Sequence, residues 1–417
     1  MTIGRLIYAD PGLRDNLGHH ANNCRAIVGE ARSRGIDTAI LAFTGIDAHL
    51  REELRAIPFF RVMTPWLNDG DPICGWLNAF HIGADATRED LSRINDIGAN
   101  DIVYLSSALP AQLMGLVAWM ATLAPNRVPH AVVEFGIDPG LDPQAGGNGA
   151  AFSTRDPRVD ARAILFRFAA SRIPERIMPC LHMMTFDENS SAAFKALMAK
   201  PVGVLPTPRI AVAPRSRKGR RPITVAVLGH QRPEKGYQFM PEVAQRLLQS
   251  DRELRVLCHN ADPAGMKEVQ QALRALAATD PRLILDERLA GDQVWAQLLD
   301  ASDLIICPYP SSRFAISYSA IAVEAVANGI PLVVPAATTM ARLVQEFGGA
   351  GAVFDRPEPS AIVTATRRAL DRFDQLAAIA EVGVGLWAQI HGPRNLFDAM
   401  LRLAANSPPT APQIAAA

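Results

Sequence analysis

Residues 225–239 read VAVLGHQRPEKGYQF, and this stretch shows the pattern that decides the fold of the chain. A short apolar run predicts a strand that ends at Gly229, and a turn containing Arg232 then leads through Lys235 and Gly236 into a helix. Small residues at the carboxyl end of a strand let a ligand approach the backbone, and cations there suit a phosphate. An ordinary strand–helix loop with a glycine at its corner would give the same pattern, so both interpretations stay open for this stretch alone.

A second informative stretch is SSRFAISYSAIAVEAVANGIPLVVP, residues 311–335. Tyr318, Ser319 and Ala320 begin a predicted helix whose free N–H groups and dipole suit a diphosphate. Glu324 follows about one turn later. A carboxylate there either compensates the helix dipole or, beside a nucleotide, accepts two ribose hydroxyls.

The same alternation of short apolar runs and helical stretches extends over the whole chain and predicts β-α-β units around parallel sheets. Because 417 residues exceed one ordinary core, we expect two α/β domains. The predicted strands include Arg5–Ala9, Thr38–Phe43, Asp101–Leu105, Ala131–Phe135, Ile223–Leu228, Leu254–His259, Leu283–Leu285, Leu304–Cys307 and Pro331–Val334. The predicted helices include Ala21–Arg34, Pro241–Leu248, Ala264–Ala278, Asp292–Leu299 and Ala320–Asn328.

Two polar stretches interrupt this alternation. Residues 140–160 are rich in glycine and are predicted to be a flexible loop. Residues 201–222 carry five prolines and six basic residues, which indicates a solvated linker or, alternatively, a phosphate-binding cluster. The predicted domain plan is therefore a first domain over 1–205, a linker over 206–222, a second domain over 223–380, a C-terminal helix over 381–404 and a disordered tail over 405–417.

Composition excludes several classes of protein. The 42 basic and 42 acidic residues cancel, so the chain has no overall attraction to nucleic acid. The five cysteines have no C-x-x-C spacing, which argues against a disulfide framework or a structural zinc site and fits a reducing cytoplasm. We expect no signal peptide and no membrane-spanning segment, since the most apolar stretch, Ala111–Ala124, has the length of a buried helix.

The spacing Gly229-x5-Lys235-Gly236, the segment LAGDQVWAQLLDASDLIICPYP at 289–310 and the segment EAVANGIPLVVP at 324–335 resemble, in order and in spacing, the retaining GT-B glycosyltransferases of the group 1 family. The segment RLIYADPGLRDNLGHHANN at 5–23 resembles the acceptor domain of that family. The resemblance implies an α/β fold of two Rossmann-like domains that face each other across a cleft, with a C-terminal helix that crosses back to the first domain.

The resemblance also implies roles for individual residues. Lys235, with Arg232 beside it, would hold the donor diphosphate and stabilise its charge during transfer. Glu324 would bind the ribose, and the segment from Asp286 to Leu289 would lie at the nucleobase. The full set of implied donor-binding residues is Gly229, His230, Asp286, Arg288, Leu289, Arg313, Tyr318, Ser319, Ala320 and Glu324.

The chain departs from the family pattern at three positions. His230 stands where the family has an arginine, and Arg232 is close enough to substitute. Ile316 replaces the earlier of two family glutamates, and Arg313 is a candidate for the place it leaves. The family's first-domain histidine is missing, and Glu134 stands at about its place, which makes it a third candidate catalytic residue.

Acceptor binding is predicted for LGHHANN, residues 17–23. Gly18 lets the backbone approach a ligand, and His19 or His20 can bond sugar hydroxyls. Alternatively, both histidines cap or pack the start of the helix.

The leading hypothesis is a metal-independent retaining glycosyltransferase that moves a sugar from a UDP- or GDP-linked donor to a glycan, lipid-linked or protein acceptor, in polysaccharide or glycoconjugate assembly. No cofactor and no nucleic-acid partner are expected, and the expected location is the cytoplasm, with peripheral contact to the inner membrane. The alternatives are a non-catalytic nucleotide-sugar sensor or scaffold, and a nucleotide-sugar epimerase on the same fold.

Overall fold

The computed structural model describes residues 3–63, 72–144, 152–213, 215–250, 253–261 and 265–406. The chain divides into two compact units. Unit 1 comprises Met1–Pro208 together with Pro393–Ala417, and unit 2 comprises Arg209–Gly392. Most of the predicted disordered tail lies outside the described residues.

Unit 1 begins with alternating strands and helices. Its strands are β1 (Arg5–Asp10), β2 (Asp37–Phe43), β3 (Ile57–Phe60), β4 (Ile102–Leu105), β5 (His130–Glu134), β6 (Leu141–Pro143), β7 (Phe152–Thr154), β8 (Leu181–Thr185) and β9 (Gly203–Val204). Its helices in this part are α1 (His20–Ser33), α2 (Ala48–Leu54), α3 (Pro72–Leu91), α4 (Pro110–Thr122), α5 (Arg162–Ser171) and α6 (Glu188–Met198).

Seven of the nine described strands of unit 1 form a sheet in the order β3-β2-β1-β4-β5-β8-β9, and all its pairings are parallel. Tyr8 in β1 lies opposite Ile40 in β2 and Tyr104 in β4. The central strands are buried along their length, as expected for strands covered by helices on both faces.

Unit 2 repeats the pattern. Its strands are β10 (Ile223–Val227), β11 (Leu254–His259), β12 (Leu283–Asp286), β13 (Leu304–Ile306), β14 (Leu332–Pro335) and β15 (Gly351–Phe354). Its helices are α7 (Met240–Ser250), α8 (Lys267–Thr279), α9 (Asp292–Ala301), α10 (Ser311–Phe314), α11 (Ala320–Ala327), α12 (Thr339–Glu346), α13 (Pro359–Asp371) and α14 (Phe373–Ile390). The sheet is parallel in the order β12-β11-β10-β13-β14-β15.

The core of unit 2 shows why its strands are continuously apolar. Val225 and Val227 pack into one hydrophobic cluster with α7, α8 and α13, whereas Ala226 packs into a second cluster with α11 and α12. Because successive side chains of a strand point to opposite faces, a strand between two helix layers needs apolar residues at every position. The sheet therefore lies between two layers of helices, as a Rossmann-like fold requires.

The predicted C-terminal helix over 381–404 is two helices. The second unit ends with α14, and α15 (Pro393–Ala405) follows after Gly392, whose φ of +104° ends a helix readily. In unit 1, α15 packs on α1, where Arg34 pairs with Asp398 at 2.6 Å. The C-terminal helix therefore returns to the first unit.

Two predicted polar segments are more ordered than expected. Within 140–160, β6 and β7 form an antiparallel pair, and Arg155 bonds the buried Asp138 at 2.7 Å, so the prediction of a flexible loop is wrong for the described part of this segment. In the segment predicted as a solvated linker, Arg217 is buried and donates to the carbonyls of Ser302 and Asn328 at 3.0 Å each. A buried carboxylate for Arg155 and the carbonyls at two helix ends for Arg217 are partners that sequence spacing does not reveal.

Candidate functional site

The strand order places a crevice at the middle of each sheet. In unit 2, β10 and β13 are neighbours, while the chain continues from β10 toward one edge and from β13 toward the other. The loops after these two strands therefore diverge, and ligands of open α/β sheets bind at such a switch point, beyond the carboxyl ends of the strands.

The loop after β10, residues 229–236, packs directly against the chain that follows β13. Gly229 and Gly236 have left-handed backbone conformations, with φ of +100° and +67°. A Cβ atom at Gly236 would lie 1.7 Å from the carbonyl oxygen of Pro308, and one at Gly229 would lie 2.4 Å from Cδ1 of Ile321 in α11. The structure therefore brings together the two stretches that the sequence singled out.

Lys235 points into this crevice. Its Nζ lies 3.6 Å from where a Cβ of Gly229 would be, and 5.8 Å from the ring centroid of Tyr309. Burial lowers the pKa of Lys235 to about 8. Among the described residues no carboxylate pairs with it, because the neighbouring Glu234 lies 3.8 Å from Arg313 instead. An unpaired, half-buried cation is an incomplete site that an anion would complete.

The start of α11 lies at the same place. Ser319 is the N-cap residue, and its hydroxyl accepts the N–H of Ala322 at 3.4 Å. The N–H groups of Ala320 and Ile321 precede the first intrahelical bond, so the helix geometry leaves them available to a ligand. Ile316 is buried, with only 1% exposure.

Glu324 is buried in α11, where its Oε1 forms an ion pair with Nη1 of Arg209 at 2.9 Å. Burial raises the pKa of Glu324, although the Arg209 guanidinium acts in the opposite direction. Trp387 holds Arg209 by donating its indole N–H to the Arg209 carbonyl at 2.9 Å. Sequence reasoning missed Arg209, because it belongs to the basic cluster that was assigned to the linker.

The residues predicted near the nucleobase follow β12. The guanidinium of Arg288 bonds Asp286 at 2.5 Å and lowers the pKa of that carboxyl. His259 donates from Nε2 to the carbonyl of Arg288 at 2.9 Å, which ties the loop to the end of β11. Leu289 is exposed at the surface of this loop.

Arg232, His230 and Tyr318 are the remaining predicted donor-binding side chains of unit 2. Arg232 and His230 are exposed, and Tyr318 is partly exposed. Their roles, like those of Glu324 and the loop after β12, stay predictions.

In unit 1 the switch point lies between β1 and β4. Asp10, fully buried at the end of β1, accepts the N–H of Gly12 at 2.8 Å. Nδ1 of His20 lies 3.0 Å from both oxygens of that carboxylate. Burial is the largest single effect and acts to lower the pKa of His20. The charge of Asp10, the hydrogen bond to it and the charges of Glu134 and Asp15 together outweigh burial, so the net effect raises this pKa. Sequence reasoning missed Asp10, which ends an otherwise apolar strand.

A second polar group lies beside this pair. Nε2 of His19 is 3.1 Å from the hydroxyl of Ser107, whose backbone N–H donates to Oε2 of Glu134 at 2.8 Å. Ser107 has a φ of +52°, a strained conformation of a kind that clusters at functional sites. Burial raises the pKa of Glu134 to about 7. Its Oε1 receives no well-formed hydrogen bond from the described residues, although the nearby Ser106 hydroxyl acts to lower this pKa.

The two histidines do not cap α1. His19 occupies the N-cap position without a side-chain capping hydrogen bond, and His20 bonds Asp10. Gly18 has a φ of +88° and open space around the position of a Cβ. The structure thus joins the predicted acceptor-side histidines to Asp10, Ser107 and Glu134, and their binding role stays a prediction.

Two features are absent from the described residues, a metal-binding cluster and a membrane-spanning helix. No group of three or more His, Cys, Asp or Glu side chains there is placed to hold a metal ion. In the same part of the chain, no helix is both long enough and apolar enough to cross a membrane.

Comparison with known proteins gives similarity of structure only. No protein-family model matches the chain, and no curated protein matches it. Sucrose-phosphate synthase from Thermosynechococcus elongatus is similar with a TM-score of 0.64 at 10% identity, over 97% of this chain and 98% of that one. HepE from Anabaena, in complex with UDP-glucose, is similar with a TM-score of 0.60 at 14% identity, over 96% and 99%.

A protein from Listeria monocytogenes assigned as a UDP-N-acetylglucosamine 2-epimerase is also similar, with a TM-score of 0.58 at 12% identity over 97% of this chain and 96% of that one. Identities this low establish a shared fold and leave the activity open. The neighbours cover nearly the whole chain, and their fold has two Rossmann-like domains, as the two units described above do. This chain therefore has the GT-B fold.

Proposed function

We propose that this chain is a glycosyltransferase that moves a sugar from a UDP- or GDP-linked donor to a hydroxyl of a glycan, lipid or protein acceptor. The observation that carries the proposal is Lys235 at the switch point of unit 2, beside Gly229 and the start of α11, where no carboxylate of the described residues pairs with it. A cation, two left-handed glycines and a helix N-terminus together suit a diphosphate. The similarity to HepE, which was solved with UDP-glucose, supports the same donor class.

The chemistry requires little beyond positioning and charge stabilisation. Lys235, Arg232 and the N–H groups of α11 would stabilise the leaving diphosphate, and we propose that they do so without a metal ion. Retention of the anomeric configuration and a role in polysaccharide or glycoconjugate assembly follow from the family resemblance.

Isothermal titration with UDP and with GDP tests the donor site. We expect wild type to bind one nucleotide and Lys235→Gln to bind it about 10- to 100-fold more weakly, the loss expected for a charge-assisted hydrogen bond. Lys218→Gln is the matched control, since Lys218 is an exposed lysine of the same unit. If wild type binds neither nucleotide at millimolar concentration, the proposal fails.

The epimerase is the second candidate function, favoured by the similarity to the Listeria protein. Nuclear magnetic resonance of UDP-N-acetylglucosamine incubated without acceptor separates the two activities, because an epimerase converts the sugar whereas a transferase leaves its configuration intact. A nucleotide-sugar sensor, the third hypothesis, requires binding without turnover of the donor.

We also propose that unit 1 contacts an anionic membrane surface through α5. Ile164 and Phe168 are 46% and 42% exposed on one face of this helix, and Arg167 and Arg172 are exposed beside them. The helix contains no acidic residue, and apolar and cationic side chains together suit an anionic lipid surface.

Co-sedimentation with vesicles tests the membrane contact. Wild type should bind phosphatidylglycerol vesicles better than phosphatidylcholine vesicles, and Phe168→Ser should bind less. Val382→Ser, which removes a 69% exposed apolar residue from α14, should bind as wild type does. Equal binding by all three proteins would refute the proposal.

A further inference from the structure

A groove in unit 1 lies between helices α3, α4 and α5. Most of the side chains that line it are apolar, and they include Trp76, Phe80, Leu109 and Leu165. The empty volume of the groove, counted to its open mouth, is about 420 Å³, which is the size of a small-molecule site. None of the lining residues belongs to the donor-binding or acceptor-side residues named above, so the groove has no role in the proposed transfer.

Two polar side chains line the groove, and their hydrogen bonding differs. The guanidinium of Arg162 pairs with Asp160 at 2.5 Å and with Asp138 at 3.5 Å, so it brings no uncompensated charge. Gln112 is only 4% exposed, and its Oε1 accepts the N–H of Leu109 at 3.2 Å. Its Nε2 has no hydrogen-bond partner among the described residues. A buried donor of this kind would be satisfied by an acceptor oxygen of a ligand.

The apolar lining of the groove continues onto the outer face of α5. The ring of Phe80 meets the ring of Phe168 edge-on, with centroids 5.9 Å apart. Phe168 is 42% exposed, and the guanidinium carbon of Arg172 lies 5.2 Å from its ring centroid. Arg172 is exposed, and no carboxylate in the part of the chain that the structure describes pairs with it. One phenyl ring thus lies between the groove lining and an exposed cation.

This succession of groups favours one class of ligand. An apolar chain fits the groove, because removal of methylene groups from water is favourable. An ester carbonyl at the start of the chain can accept the hydrogen bond that Nε2 of Gln112 offers. A phosphate beyond the ester can pair with Arg172. An isoprenyl phosphate has the chain and the phosphate but lacks the carbonyl, and a free phosphate ion leaves the apolar lining unfilled.

We propose that this groove binds the acyl chain of an anionic glycerophospholipid, with the ester carbonyl at Gln112 and the phosphate at Arg172. The site holds a single lipid molecule, which is a different event from adsorption of α5 to a lipid surface. It stands independently of the transfer reaction, and its occupation ties unit 1 to the membrane from which the lipid comes.

Titration calorimetry with a short-chain lysophosphatidylglycerol, kept below its micelle concentration, tests the site in the absence of a membrane surface. Wild type should bind this lipid saturably. It should bind the matched ether-linked lipid, which lacks the carbonyl, about fivefold more weakly, the effect of one hydrogen bond. Ala79→Leu narrows the groove, which Ala79 lines, and should weaken binding about tenfold, the effect of leaving about two methylene groups in water.

Two arginine variants test the phosphate contact. Arg172→Gln should bind lysophosphatidylglycerol about two- to fivefold more weakly, the range expected for an exposed ion pair. Arg255→Gln is the matched control, because Arg255 is an exposed arginine of unit 2, and it should bind as wild type does. Glycerol phosphate without a chain should not bind at the same concentration, since the groove supplies most of the affinity.

Each result supports or overturns a stated part of the proposal. Absence of saturable binding by wild type, or wild-type affinity in Ala79→Leu, would overturn the site. Equal binding of the ester and ether lipids, or tighter binding of a short isoprenyl phosphate, would overturn the acyl assignment. Wild-type affinity in Arg172→Gln would overturn the phosphate contact. If Ala79→Leu fails to fold, the comparison of ester and ether lipids in wild type decides alone. Failure to bind UDP and GDP would remove the transferase proposal and leave the lipid site in place.

Discussion

Units 1 and 2 share a strand order but differ in the chemistry of their switch points. In each unit the first and fourth strands of the 3-2-1-4 order flank the crevice. In unit 2 the crevice holds Lys235, which has no carboxylate partner in the part of the chain that the structure describes, while Glu234 and Glu324 pair with arginines. In unit 1 the crevice holds the buried carboxyls of Asp10 and Glu134, and His20 bonds Asp10.

The difference teaches that the backbone sets where a ligand lies and the side chains set which ligand it is. A cation beside free helix N–H groups selects an anion. Histidines beside buried carboxyls suit a ligand group that gives up or shares a proton. One fold used twice thus carries two different sets of polar side chains at equivalent places.

The largest expected effect concerns the glycines of the two loops. Gly236 and Gly18 both have positive φ. A Cβ atom added at Gly236 would collide with the carbonyl oxygen of Pro308, whereas one added at Gly18 would meet open space. We expect Gly18→Ala to destabilise the fold by about 1–2 kcal/mol from backbone strain alone. Gly236→Ala should cost more than about 4 kcal/mol, because the backbone itself must move. Urea unfolding measures both variants, and equal losses would contradict the tight contact in unit 2.

The next effect tests the buried carboxyl of unit 1. The folded-state pKa of Glu134, about 7, lies above its unfolded value of 4.5, so this group favours folding below pH 4.5, and that contribution is lost as pH rises through 7. The shift corresponds to about 3 kcal/mol. Glu134→Gln should therefore be more stable than wild type at pH 8 and should gain nothing at pH 4.5. Urea unfolding at the two pH values checks this, and a variant less stable at pH 8 would contradict it.

The smallest effect tests the cation of unit 2. With a pKa of about 8, most Lys235 side chains are charged at pH 7, and about one tenth are charged at pH 9. Affinity for the bound nucleotide should fall about tenfold over this range. The fall should be absent in Lys235→Gln, as titration calorimetry at both pH values would show. A parallel fall in the variant would assign the pH dependence to another group.

Much of the fold follows from local pattern. The predicted strands Leu254–His259 and Thr38–Phe43 match β11 and β2 closely, because buried parallel strands are continuous apolar runs. The edge strand β15 was not predicted, since GAVF is short and partly exposed and lacks that pattern. The break between α14 and α15 was also missed, although Gly392 and Pro393 mark it.

The candidate site divides in the same way. Lys235 and Ser319 were found because each follows a strand or begins a helix, and such places are visible in the sequence. Asp10 was missed because nothing local distinguishes a carboxyl at the end of a strand from one that faces solvent. Arg209 was missed because its partner, Glu324, lies far along the chain.

The sequence by itself determined the two α/β repeats, the glycine loops and the helix start in unit 2, because hydrophobic periodicity and turn residues act over a few neighbours. Only the tertiary structure decided which charges remain unpaired. Among the described residues, Lys235 has no carboxylate partner, whereas Glu324 pairs with Arg209 and His20 bonds Asp10. Pairing depends on distances between remote segments and on burial, which weakens solvation and strengthens each contact, and no local pattern encodes either quantity.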